Sequence, residues 1–238
     1  NLRSIQGIAR ESAGTQNGRA EFTREICCRF DDRDAVFIDL ALFDECKREF
    51  SPAEIVKKSD GRVSVGLDLS KNHDLTAAVC SVLVGQDVYQ WCHAWTCTHE
   101  IEQRERLSRM PFRKWADEGW MTICDGDTID LATVADTLRR WCDEFPVWRI
   151  YVDPVSGSAD TLEQWKQGGL PITAHKQNRF EMSPPLQKFN TLVRQARAPK
   201  QPHLFHDGSP VYRQCVRNAR VETDHAGNIT AGKDVADG

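Results

Sequence analysis

A strict alternation of apolar and polar positions begins at residue 63. In VSVGLDLS, residues 63 to 70, valine or leucine takes every second position, with serine, glycine or aspartate between. Because successive side chains of a strand point to opposite faces, the pattern predicts a strand with one face in the core and Asp68 on the other. A buried carboxylate costs free energy unless a partner compensates it, so we expect Asp68 to have a partner.

Two more apolar runs follow this strand. LTAAVCSVLV, residues 75 to 84, and DVYQWCHAW, residues 87 to 95, are rich in β-branched and aromatic residues. The short break between them, at Gly85 and Gln86, predicts a hairpin or meander. We therefore expect three consecutive antiparallel strands.

Helical and extended patterns alternate through the rest of the chain. Helical spacing marks residues 35 to 50, 101 to 120 with a break near Pro111, 131 to 145 after an Asp130 cap, 158 to 169, and 183 to 197 with Pro184 and Pro185 at its start. Short strands are predicted within residues 121 to 127, 148 to 154 and 170 to 177, and a turn, a helix and a hairpin within 203 to 229. Ser51 and Pro52 end the first helix or start a new turn.

This order of elements predicts an α/β fold of the ribonuclease-H-like type. Antiparallel hairpin strands come first and αβ units follow, which builds a mixed sheet flanked by helices. A doubly wound dinucleotide-binding fold would alternate from the start, and no GxGxxG follows the first strand. No GxxxxGK[ST] occurs either, so nucleotide hydrolysis by a P-loop is excluded for this chain.

Composition describes an ordinary globular chain with an uneven charge distribution. The 238 residues are 40% hydrophobic and 28% charged with net charge -4, and they contain no run of 18 apolar residues that would predict a membrane span. The stretch from Lys166 to Arg220, however, contains ten basic residues and only two acidic ones, Glu181 and Asp207. This stretch is either a solvated surface or, if an acidic metal site lies nearby, a surface for a phosphodiester substrate.

The nine cysteines do not form a regular framework. Their densest cluster, CHAWTCTH, contains Cys92, His93, Cys97 and His99, but its spacing matches no usual zinc motif. We favour buried, reduced thiols over zinc.

Two aspartates are predicted to meet at one edge of the sheet. In a ribonuclease-H-like sheet, the strand ending at Asp153 pairs beside the strand of Asp68. Two carboxylates at close range repel unless a cation lies between them, and hard oxygen ligands suit Mg²⁺ or Mn²⁺. Asp237 is the candidate third acid, and Asp74 could flank two such ions. Each also has an ordinary interpretation: Asp74 and Asp153 as turn residues, Asp237 as a residue near a terminus.

Two histidines are further candidates for this chemistry. His73 and His175 could contact phosphate or relay protons, and the ordinary alternative for both is a polar residue in a loop or at a strand end.

At these residues the chain resembles a known family. VGLDLSKNHDLTAAV resembles the first nuclease motif of tailed-phage terminase large subunits, in which a strand aspartate precedes a polar loop and Asp-Leu-Thr-Ala. IYVDP is similar to the second acidic strand, MSPPLQKFNTLV to the helix after it, and KDVADG to the last motif. The resemblance runs from about residue 21 to the end, in the family's order.

The resemblance implies an enzyme that cuts concatemeric viral DNA during packaging. Asp68, Asp153 and Asp237 match the metal-binding acids of its two-metal nuclease, and Asp74 matches the second aspartate of the first motif. Residues 1 to 60 would be a linker and helical lead-in from an ATPase domain, and residues 61 to 238 the nuclease domain. The expected DNA contacts are Lys71, Lys176, Arg179, Lys188 and Arg194.

The family's setting supplies further expectations. The partners would be double-stranded DNA and, in a longer parent chain, the portal, the small terminase subunit and the procapsid, in the cytoplasm of the bacterial host. Two alternatives stay open: a resolvase- or transposase-like nuclease of the same fold, and a non-cleaving module that docks on portal or procapsid.

Overall fold

A mixed β-sheet is the centre of the computed structural model, which describes residues 37–70, 75–156, 159–198, 200–223 and 228–233. Its strands are β1 (Val63–Asp68), β2 (Thr76–Val84), β3 (Asp87–Cys97), β4 (Met121–Cys124), β5 (Val147–Val152), β6 (Ile172–Ala174) and β7 (Leu204–His206). They are ordered β4-β3-β2-β1-β5-β6, and β7 pairs with the other end of β3. A separate hairpin joins β8 (Ala219–Thr223) to β9 (Ile229–Lys233).

Eight helices accompany these strands within the described ranges. They are α1 (Leu40–Glu45), α2 (Pro52–Lys58), α3 (Ile101–Ser108), α4 (Phe112–Asp117), α5 (Leu131–Glu144), α6 (Ala159–Gln167), α7 (Arg179–Arg194) and α8 (Pro210–Asn218). A single 3₁₀ turn, Gln195–Arg197, follows α7. The predicted Asp130 cap is confirmed, since its side chain accepts a hydrogen bond from the Ala132 amide at 2.9 Å.

The predicted strand pairing is confirmed. Strands β1, β2 and β3 form an antiparallel meander. In the turn between β2 and β3, Gly85 has φ +63°, a backbone conformation that residues with a side chain rarely adopt. Strand β5 lies parallel to β1, with Leu67 opposite Val152. The helical crossover through α5 permits this parallel pairing, as a tight turn could not.

One face of the sheet is fully covered. Val65, Leu67 and their apolar neighbours pack against helices α2, α5 and α6, which contribute Ile55, Leu138 and Trp165 to a single buried cluster. The stripe of apolar residues predicted on α5 faces this core, with Val134 and Leu138 completely buried. This packing follows from the period-2 pattern of the strands and the 3.6 period of the helix.

The opposite face is covered only in part. Over β2 and β3 it carries a second buried cluster built from α1, α7 and α8, with Phe43, Val193 and Tyr212 among its members. Over β1 and β5 the side chains on this face, such as Ser64 and Tyr151, are half-buried, and Gly66 is exposed. Within the described residues, the β1–β5–β6 part of the sheet therefore presents an open polar strip.

The first predicted helix is shorter than expected. Residues 35 to 50 were expected to form one helix, but α1 ends at Glu45 and Lys47 instead forms a parallel bridge with His206. The Arg48 amide donates to the His206 carbonyl at 2.9 Å, and the His206 amide donates to the Cys46 carbonyl at 3.2 Å. Pairing with strand β7, which the sequence pattern had not revealed, outweighs local helical spacing.

The start of α7 also differs from the prediction. We expected Pro184 and Pro185 at the helix start, but the helix begins at Arg179 and both prolines lie inside it. Asn178 accepts from the Glu181 amide at 3.0 Å and its side-chain amide donates to the Glu181 carboxylate at 3.1 Å. This reciprocal capping starts the helix at Arg179, five residues before the first proline.

Phe43 is expected to be the main anchor of the second cluster. Its ring is fully buried and stacks on His206 with centroids 4.1 Å apart. Truncating Phe43→Ala should lower the free energy of unfolding by about 3–5 kcal/mol, because it leaves a cavity between α1 and the sheet. Urea unfolding measures the change, and Leu107→Ala, at a residue 73% exposed, is the control. An equal loss in both variants would contradict the packing assigned to α1.

Candidate active site

Asp68 and Asp153 lie at the same edge of the sheet on neighbouring parallel strands. Asp68 is the last residue of β1, and Asp153 directly follows Val152, the last residue of β5. Since Leu67 is opposite Val152, the next residue on each strand is an aspartate. Neighbouring strands lie about 4.8 Å apart, so the parallel register brings these two carboxyl groups to one place.

The Asp153 carboxylate is held by the turn that follows it. Its Oδ1 accepts a hydrogen bond from the Val155 amide at 3.0 Å. Its carbonyl accepts from the Ser156 amide at 3.1 Å and from the Ser156 hydroxyl at 2.9 Å. Asp153 is therefore both a turn residue, as its proline neighbour suggested, and a residue whose carboxylate is oriented at the strand end.

Asp68 is exposed, which corrects one expectation. The alternation had suggested a carboxylate that burial penalises, but the sheet face around Asp68 belongs to the open polar strip. Burial therefore does not demand a partner for Asp68. A compensating partner is favoured instead by the proximity of a second carboxylate, because two like charges at neighbouring strand ends repel each other.

His175 and Glu181 are brought to the same edge. The His175 amide donates to the Val152 carbonyl at 2.9 Å, immediately before Asp153, and its Nδ1 lies 3.7 Å from the Glu181 carboxylate. His175 was predicted from the sequence as a site residue, and Glu181 was not. The signal was the Asn178-x-x-Glu181 pattern, a capping box that places Glu181 in the first turn after β6.

Several predicted site residues lie outside the described residues. These are Asp74, Asp237, Lys71 and His73. Within the ranges that the structure describes, no group of three or more histidine, cysteine, aspartate or glutamate residues is arranged to hold a metal ion. The described part of the candidate site is therefore the Asp68–Asp153 pair and its neighbours.

The predicted DNA contacts divide by position. Lys176 is exposed just beyond β6, and Arg179 is half-buried in the first turn of α7, so both lie near the acidic edge. Lys188 and Arg194 are exposed further along α7. At 1.5 Å per residue, Arg194 lies about 22 Å beyond Arg179 along the helix axis.

Ion pairs with acids elsewhere in the chain neutralise part of the positive charge of the basic stretch. The Arg197 guanidinium donates to the Glu45 carboxylate, and that of Arg213 donates to Asp44 at 2.6 and 2.8 Å. Both acids belong to α1, outside the stretch. The Arg213 guanidinium holds the pKa of Asp44 below its usual range. Two of the ten basic residues therefore bind α1 to the elements that follow β6 in the chain.

A sequence model of one protein family matches residues 2–237, a range that contains Asp68, Asp153 and Asp237. The family is described as "Terminase large subunit, endonuclease domain". This chain belongs to that family. The resemblance noted in the sequence is thereby confirmed.

Relatives of the terminase family agree in sequence and in fold. The large terminase subunit of Enterobacteria phage HK97 is 28% identical over 181 residues, which are 73% of this chain and 34% of that protein. Protein YmfN of Escherichia coli (strain K12) is 24% identical over 126 residues, covering 52% of this chain and 26% of that protein. The chain thus spans about a third or less of the length of these relatives.

Solved terminase structures share the fold. The crystal structure of the HK97 bacteriophage large terminase superposes with a TM-score of 0.71 at 20% identity, covering 97% of this chain and 46% of that one. The large terminase of a thermophilic bacteriophage gives a TM-score of 0.51 at 12% identity, covering 84% of this chain and 41% of that one. The predicted ribonuclease-H-like α/β class is confirmed.

Two other expectations can be compared with this terminase nuclease fold. Among the described residues, no helix is long and apolar enough to cross a membrane. In the cysteine cluster, Cys92 and Cys97 are free and buried, as expected for reduced thiols, and burial raises the pKa of Cys92 well above its usual value. The His93 ring instead contacts the Thr122 hydroxyl at 2.9 Å, and His99 lies 3.3 Å from Asp127.

His93 should make the stability of this terminase domain depend on pH. Burial, assisted by the positive charge of Arg140, lowers its pKa from 6.5 to about 4. The unfolded chain therefore takes up a proton first as the pH falls below about 6.5, and the folded state loses about 2 kcal/mol between pH 7 and pH 5 from this group. His206, whose pKa burial also lowers, acts in the same direction.

Replacing His93→Gln should remove the His93 contribution and leave that of His206. We expect the variant's unfolding free energy to fall less steeply from pH 7 to pH 5 than that of the wild type, as measured by urea titration at each pH. Parallel curves for the two proteins would contradict the lowered pKa of His93.

Proposed function

We propose that this domain hydrolyses DNA phosphodiester bonds as the endonuclease part of a phage or prophage terminase large subunit. Two Mg²⁺ or Mn²⁺ ions would be held by Asp68, Asp153 and Asp237, with Asp74 beside them. The observation that carries the proposal is the register of β1 and β5, which brings Asp68 and Asp153 to one exposed edge of the sheet. Family membership supports the nuclease assignment.

The described residues fit a hard divalent cation. Carboxylate oxygens are the ligands that Mg²⁺ and Mn²⁺ prefer, and a cation relieves the repulsion between two neighbouring carboxylates. The Val155 amide occupies only Oδ1 of Asp153, so Oδ2 accepts no hydrogen bond from the described residues. When bound, such ions supply an activated water and stabilise the leaving oxygen of a phosphodiester.

The other residues of this edge would act on the substrate. Lys176 and Arg179 place positive charge next to the acids, where they would hold phosphates on either side of the cut. Contacts to phosphate position a duplex without reading its sequence, so cutting is expected to be sequence-tolerant. Lys71, Lys188 and Arg194 would extend this contact.

The larger role is that of a packaging nuclease. In a full-length parent, an ATPase domain would precede this domain, and the assembly would cut concatemeric viral DNA at the start and end of packaging in the bacterial host cytoplasm. Portal, small terminase subunit and procapsid are the proposed partners. Residues 1 to 60 would form the lead-in from the ATPase domain and residues 61 to 238 the nuclease domain.

Plasmid nicking tests the metal-dependent chemistry. We expect supercoiled plasmid to be cut with Mn²⁺ or Mg²⁺, cutting to stop with EDTA, and Asp68→Asn and Asp153→Asn to lower the rate by at least about 100-fold. The control is Asp143→Asn, an exposed aspartate near the end of α5 and therefore at the opposite edge of the sheet from Asp153. Each variant's melting temperature verifies folding.

The outcomes separate nuclease from docking module. Equal cutting by folded Asp68→Asn and wild-type protein would refute the assignment of the acids. A folded wild-type domain that neither cuts plasmid nor binds Mn²⁺ in calorimetric titration would support the docking alternative instead.

Salt dependence tests the basic contacts. Each phosphate contact contributes a slope of about -0.9 to log K against log salt, so Lys176→Ala should make the slope for duplex DNA shallower by about one. Arg197→Ala is the matched control, because its guanidinium is already paired with Glu45. Fluorescence anisotropy at several salt concentrations measures both slopes, and equal slopes for Lys176→Ala and wild type would contradict this contact.

A further inference from the structure

Two arginines stack on one exposed tryptophan at the far end of the open polar strip. The Arg149 guanidinium carbon lies 4.4 Å from the centroid of the Trp148 ring, and that of Arg62 lies 5.4 Å from it. The Trp148 indole N–H donates to the Ser64 hydroxyl at 3.2 Å, which fixes the ring on the β1 side. We call Arg62, Trp148 and Arg149 the arginine–tryptophan platform.

The platform owes its form to an irregularity in strand pairing. Val63 is opposite Val147, but Ser64 is opposite Arg149, so Trp148 is an extra residue on β5. A bulge of this kind redirects a side chain that regular alternation would place elsewhere. Here it brings Trp148, 44% exposed, next to Arg149 and Ser64 instead of into the core.

The positive charge of the platform is not neutralised by described residues. Both arginines are exposed, and no carboxylate within the described ranges forms an ion pair with either guanidinium. Arg149 is nevertheless oriented, because its Nη1 donates to the Thr173 hydroxyl at 3.1 Å. Arg197 and Arg213, by contrast, are bound to acids of α1. Ordered guanidinium groups without an acidic partner suit a phosphate ligand.

The platform shares its strip with the acidic pair. Arg149 lies in β5, four residues before Asp153, which corresponds to about 13 Å at the rise of a strand. Between them Gly66 is exposed, and a Cβ added there would meet no atom within 4 Å, while Tyr151, opposite Gly66 on β5, is half-buried. A duplex advances about 3.4 Å per nucleotide along its axis, so 13 Å corresponds to about four nucleotides.

We propose that the arginine–tryptophan platform is a second phosphate-binding site for the backbone of duplex DNA, about four nucleotides from the bond that is cut. The two guanidinium groups contact phosphates, and the Trp148 ring holds them in place. The proposal rests on the proposed nuclease function and adds a contact to it. Its role is to align the duplex along the strip between the platform and the acids.

A purely structural role for the same residues makes a different prediction. If the stack only fastened β1 to β5, removing the guanidinium groups would lower stability and leave the salt dependence of DNA binding unchanged. If it binds phosphate, the salt slope changes even when stability does not.

The test compares two double variants that remove the same charge from opposite faces. The test variant is Arg62→Gln with Arg149→Gln. The control is Arg139→Gln with Arg140→Gln, two exposed arginines on α5, which covers the core face of the sheet. Binding of a fluorescent duplex is measured by anisotropy without divalent cation, so that no cutting occurs and the result does not depend on the acids.

The expected result has two parts. The test variant should bind about tenfold more weakly at 50 mM salt, and its log K against log salt should be shallower by about two, since two phosphate contacts are lost. The control should keep the wild-type slope. Arg149→Lys should recover part of the affinity, because it keeps the charge and loses the planar group.

Failure of the platform can be told apart from failure of the nuclease. A test variant with wild-type slope refutes the platform even if Asp68→Asn abolishes plasmid cutting. Equal changes of slope in the test and control variants also refute it, because net charge alone would explain them. A wild-type chain that binds no duplex DNA overturns both proposals, whereas a changed slope without any cutting supports the platform and refutes only the catalytic acids.

Discussion

The parallel pairing of β1 with β5 is the constraint on which the rest of this structure depends. It places Leu67 opposite Val152 and so brings the next residues, Asp68 and Asp153, to one edge. It also requires a covered crossover, and α5 meets that requirement by burying Val134 and Leu138 against the same strands. A shift of one residue in the register would separate the carboxylates and turn β1's apolar face away from the core.

The two faces of the sheet are covered unequally, and this leaves the edge with the paired aspartates open on one side. The second face is closed over β2 and β3 by α1, α7 and α8, and Arg213 ties α1 to this layer through Asp44. The described helices leave β1, β5 and β6 open on that side. An open face without the acids would be an ordinary polar surface, and acids beneath a helix could not reach a duplex. If the proposed function holds, the basic residues beside this open face would let a chain of net charge -4 accept a polyanion locally.

Helix α1 belongs structurally to the sheet that follows it in the chain. Phe43 is fully buried against His206, and the backbone around Lys47 pairs with β7. The Arg197–Glu45 and Arg213–Asp44 pairs add polar contacts to the same junction.

The sequence by itself determined strands β1 to β6, most helices and the fold class, and it predicted an aspartate at the end of each of two neighbouring strands. These follow from local rules: the period-2 pattern of β1 to β3, the capping of α5 by Asp130, and an acid at the end of each of two strands. Only the tertiary structure decided that Asp68 is exposed, that α1 stops before Lys47, and that the Trp148 indole donates to Ser64. The last two depend on contacts between residues far apart in the chain, Lys47 with His206 and Ser64 with Trp148. A local pattern carries no information about such contacts, because their free energy arises only once the sheet has brought the two segments together.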